Sequence, residues 1–295
     1  MEKGVKKTTH PGLLSRAAAA RGSQGARSEG SQSVNACRPT VRFDFSGCTA
    51  LVTGATSNLG LAFASALAGA GAAVGVLGGS DQSALNKVVG DLSASGATVV
   101  GALADFADTP AVIGAATTIT DALGPIDILV NNAAIRSQRL PGDLTVEEWD
   151  RTFAVNVRAP FVLAQQLLPA MLTRGFGRII NIAGLNIWWA SPSTAHVSAA
   201  KAALLGLTTS LAMHGAHGGV TVNTIAPGFI DTPSYRHSPN ATREETVSRL
   251  VPMARSARMD EVVDIGLFLA SSSASYVTGQ TLVVSGGAYP MVALS

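Results

Sequence analysis

The chain has 295 residues, 47% hydrophobic and 14% charged, enough apolar surface for one large domain and too much for a wholly disordered chain. Of its formal net charge of +2, residues 1–43 carry +6, so the body carries −4, which speaks against nucleic acid as a partner. No apolar run reaches the roughly 18 residues that a transmembrane helix needs, so no membrane partner is expected.

Residues 1–43 are basic and rich in Ser, Gly and Ala, without a sustained hydrophobic period. That composition fits a disordered extension, or a transit peptide for an organelle, and the extension is the simpler expectation. Cys37 and Cys48 have no metal-ligand spacing, and a structural disulfide between them is not expected. A reducing, cytoplasmic setting is the default for such a chain.

The body, residues 44–295, alternates strand and helix from Thr49 onward. Short apolar runs bounded by Gly, Asn and Asp predict buried parallel strands at residues 49–53, 73–77, 98–103, 126–131, 178–182, 220–225 and 281–284. Amphipathic stretches at 61–70, 111–123, 146–174 and 199–214 predict helices between them. The pattern implies an α/β fold, a doubly wound parallel sheet in a single domain, whose ligands bind beyond the carboxyl ends of the strands. Residues 228–249, with Pro233, Ser238, Pro239 and Asn240, break the alternation and read as a long loop over a pocket.

The motifs fall at those strand ends. Thr53-Gly54-Ala55-Thr56-Ser57-Asn58-Leu59-Gly60 is a glycine-rich strand-to-helix turn of the kind that brings backbone amides and a helix dipole to a pyrophosphate. Asp105 follows the third strand, Asn131-Asn132-Ala133-Ala134 the fourth, and Pro227-Gly228 with Thr232 the sixth. Asn156-Val157 lies in a helix, Ser198-Ala199-Ala200-Lys201-Ala202-Ala203-Leu204 in another, and Tyr276-Val277-Thr278-Gly279-Gln280 precedes the last strand. Taken in order, these resemble the motifs of the short-chain dehydrogenase/reductase family over about residues 46–288. Each alone has a structural reading; the ordered series is what makes the resemblance specific.

The resemblance implies a Rossmann-type domain that binds NAD or NADP. It implies cofactor contacts at Gly54, Ser57, Asn58, Leu59, Gly60, Asp105, Asn132, Lys201, Pro227, Gly228 and Thr232. Asn58 stands where the family has the turn's middle glycine, and Asn tolerates a left-handed backbone better than most residues. It also implies a reaction centre in which a tyrosine phenol moves the proton, a lysine lowers its pKa, and a serine binds the reacting oxygen. Lys201 takes the lysine position, but Val197 stands four residues before it and Gly184 thirteen before that. The phenol and the hydroxyl are therefore both expected to be missing.

The remaining catalytic candidates are Asn156, Lys201 and His196. His196 is about 140° around a helix from Lys201, so a satisfied or exposed histidine is the plainer reading. Ser191 and Ser193 read as turn residues, and Trp188-Trp189 either as a pocket wall or as packing beneath the loop. At the end of the second strand, Gly78-Gly79-Ser80 with Asp81 beyond offers neither an acid for the NAD ribose nor an Arg for the NADP phosphate. NAD(P) binding is expected to be weak or absent.

Three functions stay open. The chain is a non-redox partner subunit, an enzyme that uses the remodelled pocket for another reaction, or an oxidoreductase with an atypical proton donor. Losing the acid costs about 10²–10⁴-fold and losing the oxygen ligand a similar factor, which sets the third reading last. The simultaneous loss of the ribose selector and a phosphate-loop glycine puts the first slightly ahead of the second. Helices at 146–174 and 199–214, apolar on more than one side, are expected to pair in a homo-oligomer or with a paralogue, and the pocket to take a small-molecule ligand.

Overall fold

The structure is a computed structural model that describes residues 40–189, 191–233 and 242–290. Most of the expected N-terminal extension, and the part of the expected loop that holds Ser238, Pro239 and Asn240, lie outside these residues.

Seven strands pair in the order β3-β2-β1-β4-β5-β6-β7, every pair parallel. They are β1 (Thr49–Thr53), β2 (Ala73–Gly78), β3 (Val99–Leu103), β4 (Ile128–Asn131), β5 (Gly177–Ile182), β6 (Val220–Pro227) and β7 (Thr281–Val284). The order reverses between β1 and β4, the switch point at which such sheets open a crevice.

Successive strand residues face opposite sides, so β1 feeds two cores. Ala50 and Val52 join Phe63, Leu67, Val262 and Leu269 on one face, and Leu51 joins Ile119, Leu163, Met171 and Ile179 on the other. Helices α1 (Asn58–Gly69) and α8 (Met259–Ala270) cover the first face, and α3 (Thr109–Leu123) and α5 (Ala159–Arg174) the second. Helix α6 (Ala195–Gly215) lies along β6, and α2 (Gln82–Ala94) caps its N-terminus with Asp81, which accepts from the Ala84 amide at 2.9 Å.

The sequence stretch expected as one helix, 146–174, is three pieces. Helix α4 (Val146–Phe153) runs into a π-helical turn at Ala154–Arg158 before α5. Pro160 has no N–H to give the Asn156 carbonyl and its ring crowds that carbonyl, which accounts for the widened turn there. A correction applies to residues 228–249. Their C-terminal part is not loop but helix α7 (Thr242–Leu250), begun by Glu244 and Glu245, whose charge favours a helix N-terminus.

At the opposite end of the sheet from the crevice, Arg178 of β5 is 3% exposed. Its guanidinium donates to the carbonyls of Gly177 (2.8 Å), Gly219 (3.1 Å) and Ser271 (3.3 Å) and lies 4.3 Å over the Phe176 ring. Three backbone segments are thus joined by one side chain that meets no carboxylate among the described residues.

Candidate nucleotide and reaction cleft

A cleft of about 820 Å³ opens at the carboxyl ends of the strands. Its floor at the switch point is the turn after β1. Gly54 has φ 62° and Asn58 φ 46°, both left-handed, so Asn58 adopts the conformation that its side chain makes tolerable. A side chain at Gly60 would sit 2.2 Å from the Gly54 carbonyl oxygen, so only glycine lets α1 start this close to the strand. Asn132 ties the turn down. Its amide nitrogen donates to the carbonyls of Thr53 (3.1 Å) and Gly54 (3.3 Å), while its backbone N–H donates to Thr53 Oγ1 at 3.0 Å.

Gly54, Ser57, Asn58, Leu59, Asp105, Asn132, Lys201, Pro227, Gly228 and Thr232 all line the cleft. Gly60 does not, and acts through the close approach just described. Asp105 accepts from the Ala107 amide at 3.0 Å and holds Arg151 in a two-point ion pair (3.0 and 3.1 Å). Those contacts, the Ala107 amide first, hold its carboxyl below the usual range. Thr232 Oγ1 is buried without a hydrogen-bond partner among the described residues. An orphaned hydroxyl at one end and a glycine cradle at the other fit a dinucleotide laid along the cleft. At the end of β2, Gly79 and Ser80 line the cleft, and Asp81 is turned to capping α2.

At the other end stands Lys201, 4% exposed, its Nζ donating to the Ile182 carbonyl at 2.5 Å. Burial, with a smaller contribution from the Arg136 guanidinium, lowers its ammonium to about 7. One turn earlier on the same face, Val197 lines the cleft with isopropyl carbon; Gly184 lines it opposite, and its missing side chain leaves room taken by the Asn186 carboxamide. Thr194 and Ser191 bring alkyl hydroxyls to the rim.

Two of the three catalytic candidates are not brought to the cleft. Asn156, in the π-helical turn, spends both amide atoms on Ile135, accepting from its N–H (2.8 Å) and donating to its carbonyl (3.0 Å). His196 falls in the first turn of α6, fully buried, with Nε2 3.1 Å from Ser137 Oγ and Nδ1 without a partner among the described residues. Its ring points off the Lys201 face, as one residue's rotation against the valine position requires. Both residues hold the loop after β4. The tryptophans divide the two roles open to them: Trp189 lines the cleft, and Trp188 stacks on Tyr289 with ring centroids 4.4 Å apart.

Sequence reasoning did not single out Arg136, Gln138, Arg151 or Asn186, all of which line the cleft. The only signal was position, since Arg136 and Gln138 follow the Asn131-Asn132 element and Asn186 lies two residues after Gly184. Among the described residues no helix is long and apolar enough to cross a membrane, and no group of three or more His, Cys, Asp or Glu side chains gathers for a metal.

A parallel sheet with this switch point, glycine turn and buried lysine defines a nucleotide-binding α/β oxidoreductase fold, and the chain belongs to the short-chain dehydrogenase/reductase family. The family profile described as Enoyl-(Acyl carrier protein) reductase matches residues 54–289. The chain is 37% identical, over 81% of its length and 95% of the other, to the (2S)-[(R)-hydroxy(phenyl)methyl]succinyl-CoA dehydrogenase subunit BbsD of Thauera aromatica. It is 35% identical to the gluconate 5-dehydrogenase of Gluconobacter oxydans over 83% of this chain and 96% of that one. Among solved structures it resembles a 3-oxoacyl (acyl-carrier-protein) reductase from Agrobacterium tumefaciens with NADP bound, with TM-score 0.77 and 34% identity, covering 83% of this chain and 95% of that one.

Proposed function

We propose that this chain binds NAD(P) weakly in its cleft and serves as a non-redox member of the family, as a partner subunit beside an active paralogue. The observation that carries the reading is the pair Val197 and Gly184, which face the cleft near Lys201 with no proton donor of their own. NAD(P), when bound, supplies or accepts a hydride; the proton that must move with it needs an acid near neutral pKa. The alkyl hydroxyls of Thr194 and Ser191 are far too weakly acidic for that, and His196 is turned away. The missing ribose selector supports weak rather than tight binding. The word subunit in the name of the Thauera relative fits an assembly of more than one chain. A reducing, cytoplasmic setting belongs to the same reading.

A second reading keeps the redox activity of the relatives, which are named as dehydrogenases and reductases. One observation favours it: the Asn186 carboxamide stands beside Gly184, where an N–H is able to bind a carbonyl oxygen in place of a serine hydroxyl. Purified protein separates the two. With NADH or NADPH and a panel of ketones and 3-oxoacyl thioesters, the first reading expects negligible turnover and calorimetric nucleotide affinities of high micromolar or weaker. Robust turnover, or a submicromolar dissociation constant, would overturn it.

A further inference from the structure

Among the described residues, the reacting end of the cleft is rich in N–H donors and free of acids. Arg136, Gln138, Asn186 and Lys201 line it, whereas the lining's one carboxylate, Asp105, is neutralised by Arg151 at the far end. The side chains of Arg136 and Asn186 make no hydrogen bond or ion pair among the described residues. Positive charge facing a cleft without a counter-ion is a recognition feature for an anion.

The backbone that carries Arg136 is fixed on both sides. Asn156 clamps the N–H and carbonyl of Ile135, His196 holds Ser137, and the Arg139 N–H donates to the Ser193 carbonyl at 2.8 Å. These bonds reach across from α6, its preceding loop and the π-helical turn, so three separate elements fix the backbone on either side of Arg136, whose side chain lines the cleft. Its field is felt by Lys201, whose proton affinity it reduces. Leu185, Trp189 and Phe229 add apolar wall beside the donors.

We propose that this end of the cleft binds a small organic carboxylate, gripped by the fork of Arg136 with N–H donation from Asn186 and Lys201. A guanidinium matches a carboxylate with two parallel bonds, which a neutral alcohol or ketone cannot replace. The proposal rests on the cleft being a ligand site, as above, but not on the absence of redox chemistry. A phosphate oxygen of the nucleotide shares this chemistry, and the test separates the two.

Calorimetry on the full chain uses D-3-hydroxybutyrate and gluconate against the neutral probes 2-butanol and sorbitol. At least one carboxylate should bind about tenfold or more tightly than its neutral counterpart, and Arg136→Gln should remove that preference while Arg136→Lys keeps part of it. NADP affinity should stay within about twofold in Arg136→Gln. Arg136 is exposed, so the substitution leaves the core untouched. Equal affinity for acid and neutral probes, or a preference that survives Arg136→Gln, overturns the proposal. So does a matching loss of NADP affinity, which would assign the arginine to the nucleotide phosphate. Reductase turnover would instead sink the non-redox reading and leave the carboxylate site standing.

Discussion

His196 Nε2 lies 3.1 Å from Ser137 Oγ with the imidazole fully buried, so the histidine beside the valine position serves the loop after β4 and not the cleft. A surface histidine would be replaceable at a cost within about 0.5 kcal/mol, but a buried, hydrogen-bonded ring is not. His196→Ala should therefore lose about 2–3 kcal/mol in denaturant unfolding, from the cavity and from the stranded Ser137 hydroxyl. If turnover were found in the wild type and disappeared in this variant with stability intact, His196 would be a proton donor after all.

Lys201 gives a pH prediction with a definite sign. Its ammonium is lowered to about 7 from the ordinary 10.5 by burial and by Arg136. Below pH 7 the folded chain carries the full cost of a buried charge. As pH rises from 7 to 10.5 the unfolded chain holds a proton that the folded chain has released, so stability climbs with pH through that window. Lys201→Met removes the cost along with the bond to the Ile182 carbonyl. The variant should be roughly 1–3 kcal/mol more stable than the wild type at pH 7, with the gap narrowing toward pH 10. A gap that is flat or widens with pH contradicts the assignment.

Rebuilding the proton path tests the reading of Val197 and Gly184 directly. Val197→Tyr with Gly184→Ser restores a phenol one turn before Lys201 and a hydroxyl opposite. A side chain at Gly184 comes within 2.9 Å of Asn186 Oδ1, the free end of a flexible side chain, so the serine requires only that Asn186 rotate. Detectable carbonyl reduction should appear, and adding Asn186→Ala should not abolish it. Positioning of the nucleotide precedes proton transfer, so the gain is expected at nucleotide concentrations that saturate the cleft. No gain under saturation would mean that more than the donors has been lost.

The outer face of α4 and α5 leads to an assembly prediction. Phe161 is 42% and Trp149 36% exposed, beside a shallow groove lined by Phe153, Val157 and Leu207. Apolar surface of this kind marks contact with another chain. Light scattering should find a dimer or tetramer at micromolar concentration, or a mixed assembly when a paralogue is co-expressed, and Trp149→Glu with Phe161→Glu should dissociate it. A stable wild-type monomer ends the idea.

The strands were legible because they are written as short apolar runs, and those at Thr49–Thr53, fully buried, and Thr281–Val284, half-buried at the sheet edge, agree residue for residue. Helix α2 escaped because only Leu85, Val88 and Leu92 of it are buried, too thin a stripe to stand out. Helix α7 was hidden by the prolines before it. In the site, Gly54, Asn132, Asp105 and Lys201 could be read because each is fixed by its distance from a strand end or a helix turn. Arg136 and Asn186 could not. What aims Arg136 is a set of bonds from Asn156, 21 residues from Ile135, and from His196, 59 residues from Ser137, and no local pattern encodes those.

Arg178 fastens three backbone segments near the amino end of β5, away from the cleft at the strand's other end. That end of the frame is therefore fastened by contacts that lie away from the cleft. Exchanges at Val197 and Gly184 leave that fastening untouched, and a lineage that gave up its phenol and serine would inherit an intact vessel in which to try a different cargo.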